Sequence, residues 1–217
     1  MRWFGALVVP VLIGLVLFPP LDPPAAAGED QPEAGKPRPK AGGTIAGTVK
    51  GRPKRYLKRG VLVYLEKVKG EFPPPKEHAL MDQKNMRFVP HILPILVGTT
   101  VDFLNSDSVA HNVFSPDGEK YNLGTWPQGK TRSYTFKRTG VYSQLCHVHA
   151  EMEAFIVVLQ NPHFARAGED GKYEIKDVPP GTYTLVAWNE RMKPARRSVR
   201  VTAGQATRAA DFTLKRK

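Results

Sequence analysis

Short β-type runs broken at close intervals by turn residues constrain this chain more than any other feature. "TIAGTV" (44–49), "VLVYLE" (61–66), "ILPILV" (92–97), "TVDFLN" (100–105), "TRSYTF" (131–136), "VYSQLC" (141–146), "FIVVL" (155–159), "TYTLVAW" (182–188), "RSVRV" (197–201) and "ATRAADFTL" (206–214) are alternating or β-branched. Between them stand turn formers such as "PDG", "PQGK", "EDGK" and "VPPG", where Gly and Pro supply the dihedrals a reversal needs. No window of a dozen residues carries a helical apolar stripe. The pattern predicts an all-β chain of packed antiparallel sheets.

The N-terminus predicts export. Arg2 precedes an apolar run to Phe18, and Ala25 and Ala27 stand at small-residue positions before Gly28. Residues 1–27 therefore read as a cleaved signal peptide, and the run is short for a bilayer span of ~20 residues. No other segment is apolar enough to span a membrane, so the expected location is periplasmic or otherwise extracytoplasmic. Residues 28–43, "GEDQPEAGKPRPKAGG", combine Pro, Gly and charge without an apolar period and read as a flexible linker.

Export gives meaning to a single cysteine. Cys146 is the one cysteine of 217 residues and cannot form an internal disulfide, while an exposed thiol is a liability in an oxidising compartment. It sits in "LCHVHAEM" (145–152) with His147, His149 and Met152. A closed zinc site would want more cysteines, and methionine is a poor zinc ligand. Two His, one Cys and a weak axial Met form a blue-copper set. Cys146, His149 and Met152 give C-x2-H-x2-M, and His111 in "NSDSVAHNVFS" is the donor expected from another strand. His147 is the alternative ligand; strand alternation points it away from Cys146. Glu151 and Glu153 flank Met152, and a carboxylate ligand would make a more open site. His78 and His163 are expected in solvent, and His91 packed or at the surface.

These residues bring a resemblance into view. "FVPHILPILVGTTVDFLNSDSVAHNVFS" and "TGVYSQLCHVHAEMEAFIVV" resemble the cupredoxins, the plastocyanin and azurin fold. Phe88, Pro90, Val97, Val101, Phe103, Asn105, Asp107, His111, Asn112, Gly140, Tyr142, Cys146, His149 and Met152 carry the match. The resemblance spans about residues 78–160. It implies a Greek-key β-sandwich binding one copper ion, cycling between Cu(I) and Cu(II), through His111, Cys146, His149 and Met152. It also implies that Asn112 ties the two ligand loops together by hydrogen bonds. The step from His149 to Met152 is shorter than in plastocyanin or azurin. The Cys146–His147 pair is similar to the dipeptide of multicopper oxidases and nitrite reductases, but the further histidines of a catalytic copper are not in place.

Downstream, "DGKYEIKDVPPGTYTL" resembles a carboxypeptidase regulatory-like, transthyretin-like sandwich through Asp170, Gly171, Tyr173, Ile175, Val178, Pro179, Pro180, Gly181, Tyr183 and Leu185. Its tail of about 55 residues is thin for an independent sandwich. Such modules begin with strands like "GTIAGTVKG" and "RGVLVYLEKV", which stand far upstream. Residues 44–70 and 161–217 are therefore expected to form one discontinuous domain, with the cupredoxin of residues 78–160 inserted. The alternative is that the upstream strands extend the cupredoxin.

Formal net charge is +12. Residues 1–27 hold one charge of each sign, Arg2 and Asp22, so their removal leaves it unchanged. "KGRPKRYLKR" (50–59) alone carries six basic residues. This favours an acidic redox partner such as a cytochrome, or an anionic envelope surface. Nucleic acid is not expected, since no stacking platform or helix-turn-helix is present. The expected function is one-electron transfer, not enzymatic turnover. The alternatives are an envelope copper carrier or chaperone, and a structural or adhesive protein with incidental copper.

Overall fold

The computed structural model describes residues 42–207 and 210–217; the signal-peptide reading and nearly all of the linker lie outside them. In chain order come β1 (Gly43–Arg52), a 3₁₀ turn (Lys54–Arg59) and β2 (Leu62–Leu65). Then follow β3 (Ala79–Gln83), β4 (Phe88–Val89), β5 (Ile92–Leu96), β6 (Thr100–Asn105), β7 (His111–Ser115), β8 (Tyr121–Trp126), β9 (Thr131–Thr135), β10 (Gly140–Leu145) and β11 (Glu153–Leu159). Last come β12 (Phe164–Arg166), β13 (Lys172–Val178), β14 (Gly181–Trp188), β15 (Ala195–Val201), β16 (Ala206–Thr207) and β17 (Phe212–Lys215). The chain is all-β. Among the described residues no helix is long and apolar enough to cross a membrane.

Strands β3 to β11 make a central sandwich. One sheet runs β4-β3-β6-β9 and the other β5-β11-β10-β7-β8. Their facing side chains, among them Met81, Phe103, Val113, Phe136, Tyr142 and Ile156, form one buried cluster that also contains Cys146 and Met152. Pro94 sits inside β5, which is tolerated because β5 is an edge strand with only β11 as neighbour.

A flanking sandwich is assembled from both sides of this unit. β1 pairs antiparallel with β13 and parallel with β16 and β17. β2 lies between β12 and β14, and β15 completes that sheet. Ile45, Val49, Val63 and Leu65 share one core with Tyr173, Ile175, Leu185 and Val199. Gly171 closes this sandwich. Its φ is +82°, and a Cβ there would lie 2.3 Å from the Val49 carbonyl oxygen. The backbone approach that forbids a side chain also makes the hydrogen bond from the Val49 N–H to the Gly171 carbonyl, 2.8 Å.

The two sandwiches share a third apolar cluster, made by Leu62, Ile92, Phe155, Val157, Leu159 and Trp188. Period-2 geometry explains it. In β11, Ala154, Ile156 and Val158 face the central core, while Phe155, Val157 and Leu159 face outward onto β2 and β14. The continuous apolar run "FIVVL" is thus a strand buried on both faces. The expected single run "ATRAADFTL" is instead two short strands, β16 and β17, each pairing with a different stretch of β1.

Candidate metal centre

The site lies where β7 begins and where the loop from β10 to β11 turns. His111 opens β7 and is fully buried. Cys146 directly follows β10 and is 5% exposed. His149 is half-buried, and His147, Val148, Ala150 and Glu151 around it are exposed. One ligand atom each from His111, Cys146 and His149 lies within 4.8 Å of the others. Among the described residues this is the one cluster able to hold a metal ion.

Hydrogen bonds decide which atoms converge. His111 Nε2 lies 2.8 Å from Asp107 Oδ2, which leaves Nδ1 to face the site, 3.0 Å from His149 Nδ1. Asp107 is itself held. Its carboxylate accepts from the amides of Asn85 at 2.6 Å and Met86 at 2.8 Å, and its own N–H donates to Asn105 Oδ1 at 2.9 Å. Burial pushes the Asp107 carboxyl up, but the Met86 amide, His111 and the Asn85 amide outweigh it and hold it below the ordinary value. It stays an acceptor and orients the imidazole.

Asn112 links the two ligand segments. Its N–H points at Cys146 Sγ, 3.4 Å away, and its Oδ1 accepts from the His147 N–H at 3.4 Å. Its Nδ2 donates to Asn122 Oδ1 and the Gly124 carbonyl, anchoring both segments to β8. Met152 is 1% exposed, lies in the same apolar cluster as Cys146, and its N–H donates to the His149 carbonyl at 3.1 Å. That bond closes the short His149–Met152 step into one turn.

The remaining sequence candidates lie elsewhere. His147 is exposed and stacks flat on Phe114, centroids 3.7 Å apart with 2° between the planes. His78 pairs with Asp102. His163 meets Phe72 edge-on, and burial lowers its pKa. His91 faces Glu190, and Glu153 pairs with Arg191. Asp107 belongs to the sequence pattern, but its role as partner of His111 shows only in the fold. The signal was its spacing: Asp107 stands four positions before His111.

Two imidazole Nδ1 atoms and a cysteine sulfur converging at a largely buried position fit a borderline-soft cation, and a thioether in the same apolar cluster as the sulfur favours copper over zinc. Residues 76–159 match the copper binding proteins of the plastocyanin/azurin family. The chain carries a cupredoxin domain. Residues 151–215 match the carboxypeptidase regulatory-like domain, so the second match begins inside the ligand loop of the cupredoxin domain. A purple cupredoxin from Nitrosopumilus maritimus is 28% identical over 37% of this chain and 98% of its own, with a TM-score of 0.35. A mutant of amicyanin is 26% identical over 39% of this chain and 84% of its own, TM-score 0.36. A Cu-containing nitrite reductase from Thermus scotoductus is 23% identical, TM-score 0.38; the match covers 52% of this chain but 28% of the reductase. No curated protein matches the chain. Copper is the cofactor of the cupredoxin domain, and His111, Cys146 and His149 are placed to hold it.

Proposed function

We propose that this is an exported, mononuclear blue copper protein that carries one electron at a time between redox partners. The carrying observation is the convergence of His111, Cys146 and His149, with Met152 buried in the same apolar cluster as Cys146. Bound copper would supply the redox couple, Cu(I)/Cu(II), with His111, Cys146, His149 and Met152 as its ligands. The chain's own part is to hold those donors in one arrangement through both oxidation states. Asp107 fixes the His111 ring, Asn112 steadies the thiolate, and the apolar core around Met152 excludes water. A site that does not rearrange is what a fast electron carrier needs.

His149 is the ligand nearest solvent, and exposed Val109 and Val148 stand within two residues of ligands. We read this as the face where electrons enter and leave. The +12 charge favours an acidic partner such as a cytochrome, whose docking weakens as salt rises. A carrier is favoured over an enzyme because His147 is stacked on Phe114 instead of joining other histidines. We further propose that residues 44–70 and 161–217 are one regulatory-like domain interrupted by the cupredoxin domain, supported by the pairing of β1 and β2 with β12 to β17.

Voltammetry of the copper-loaded chain, followed by a chelator challenge, tests the assignment. A reversible one-electron wave with copper retained for hours supports the electron carrier. Rapid surrender of copper to a mild chelator replaces it with a copper carrier.

A further inference from the structure

Beneath the ligand loop the two sandwiches meet in a polar cluster. Glu190 follows β14, and its side chain is 1% exposed. Its Oε1 lies 3.4 Å from an Arg59 guanidinium nitrogen and 3.3 Å from His91 Nε2. Among the described residues Oε2 has no hydrogen-bond partner. On the other side of the imidazole, His91 Nδ1 lies 3.1 Å from the Glu153 carbonyl oxygen. A carbonyl only accepts, so Nδ1 carries the hydrogen. Glu153 is the residue directly after Met152 and opens β11. Its carboxylate is paired with Arg191 at 3.2 Å. Two consecutive flanking-sandwich residues therefore stand at Glu153: Arg191 pairs directly with its side chain, and Glu190 lies at ion-pair distance from the His91 ring whose Nδ1 donates to its backbone, although among the described residues His91 Nε2 itself makes no hydrogen bond.

Stability alone does not explain where this cluster sits. A buried carboxylate with one unpartnered oxygen is costly, and well-packed apolar residues hold sheets together as well or better. Phe155, packed edge-on against Trp188 with centroids 5.6 Å apart, already does that at the same junction. What distinguishes the cluster is where it grips. We infer that His91, Glu190 and Arg191 are positioning residues for the copper ligand loop. The flanking sandwich braces Glu153, and through it fixes how Met152 approaches Cys146 and His149. Because a thioether ligand would help tune the potential of such a site, the second sandwich is a tuning element of the first. This rests on the copper reading above.

The test uses the full chain. His91→Phe keeps a ring against Phe155 but removes the bond to the Glu153 carbonyl; Arg191→Ala removes the ion pair; Arg191→Lys keeps a charge there. Two quantities are read in the copper-loaded form: the reduction potential and the intensity ratio of the thiolate-to-copper bands. A third, the rate at which a thiol reagent reaches Cys146, is read in the metal-free form. The brace predicts that His91→Phe and Arg191→Ala bind copper about tenfold more weakly. Both should shift potential and band ratio and speed Cys146 labelling, with Arg191→Lys in between. The double variant should change less than the two single changes added, since both act on Glu153. A lower melting temperature with unchanged spectrum, potential and labelling rate overturns the brace and leaves a packing role. Glu190→Gln, which keeps the side-chain volume, serves if His91→Phe does not fold. A wild-type chain without a thiolate-to-copper band overturns the copper reading instead, and the labelling rates then decide the brace alone.

Discussion

Asp107 shows how much of the candidate metal centre is held by a side chain outside the converging His111, Cys146 and His149. It receives two backbone amides from the Asn85–Met86 turn, where both residues have positive φ, and returns one acceptor to His111. Asp107→Ala should release that turn and the imidazole together. Copper affinity, measured by competition with a calibrated chelator, should fall about 10- to 100-fold, with Asp107→Asn in between. His147→Ala should leave both affinity and visible spectrum as in the wild type, because the ring is spent on Phe114. A spectral change in His147→Ala would make His147 a ligand.

At the scale of elements, Gly171 is the tightest point of the β1–β13 pairing. Gly171→Ala would place a methyl on the Val49 carbonyl at an unfavourable φ. It should cost about 2 kcal/mol or more, read as a lower denaturation midpoint, with the copper spectrum of the loaded protein unchanged. Much of the element pattern was legible from sequence, because alternation marks strands that are buried on one face. β6, β10 and β14 announced themselves that way, while β5 and β11 showed as continuous apolar runs. β3 (ALMDQ) and β8 (YNLGTW) did not. Their polar and glycine positions carry weak strand preference, so pairing with adjacent strands decides. The convergence of His111, Cys146 and His149 was legible because copper chemistry demands particular atoms. Asp107 and the His91–Glu190–Arg191 cluster were not, since nothing local in "NSDSVAH" or "WNERM" says what those side chains will face.

At the scale of the whole molecule, the two sandwiches share one apolar seam, so damage to either reaches the other. Trp188→Ala should cost about 3–5 kcal/mol and lower the melting temperature of the chain. The buried carboxylate at the same junction makes stability depend on pH. Burial raises the Glu190 carboxyl, but His91, the residue's own amide and Arg59 bring it net below its ordinary value of 4.5. Between the folded and the ordinary value the unfolded chain binds the proton more readily. The contribution is therefore complete above about pH 4.5 and is lost as pH falls through the folded value. Denaturant midpoints along an acid series should fall less steeply in Glu190→Gln; an identical slope would assign the acid sensitivity to other groups.

The electron-carrier reading depends on Cys146 binding copper as a thiolate, and visible absorption reads that bond directly. One equivalent of Cu(II) added to the chain lacking residues 1–27 should raise an intense thiolate-to-copper band that bleaches with reductant and returns on reoxidation. The band should be missing in Cys146→Ser. No band in the wild-type chain, or a band that survives in Cys146→Ser, would contradict the account.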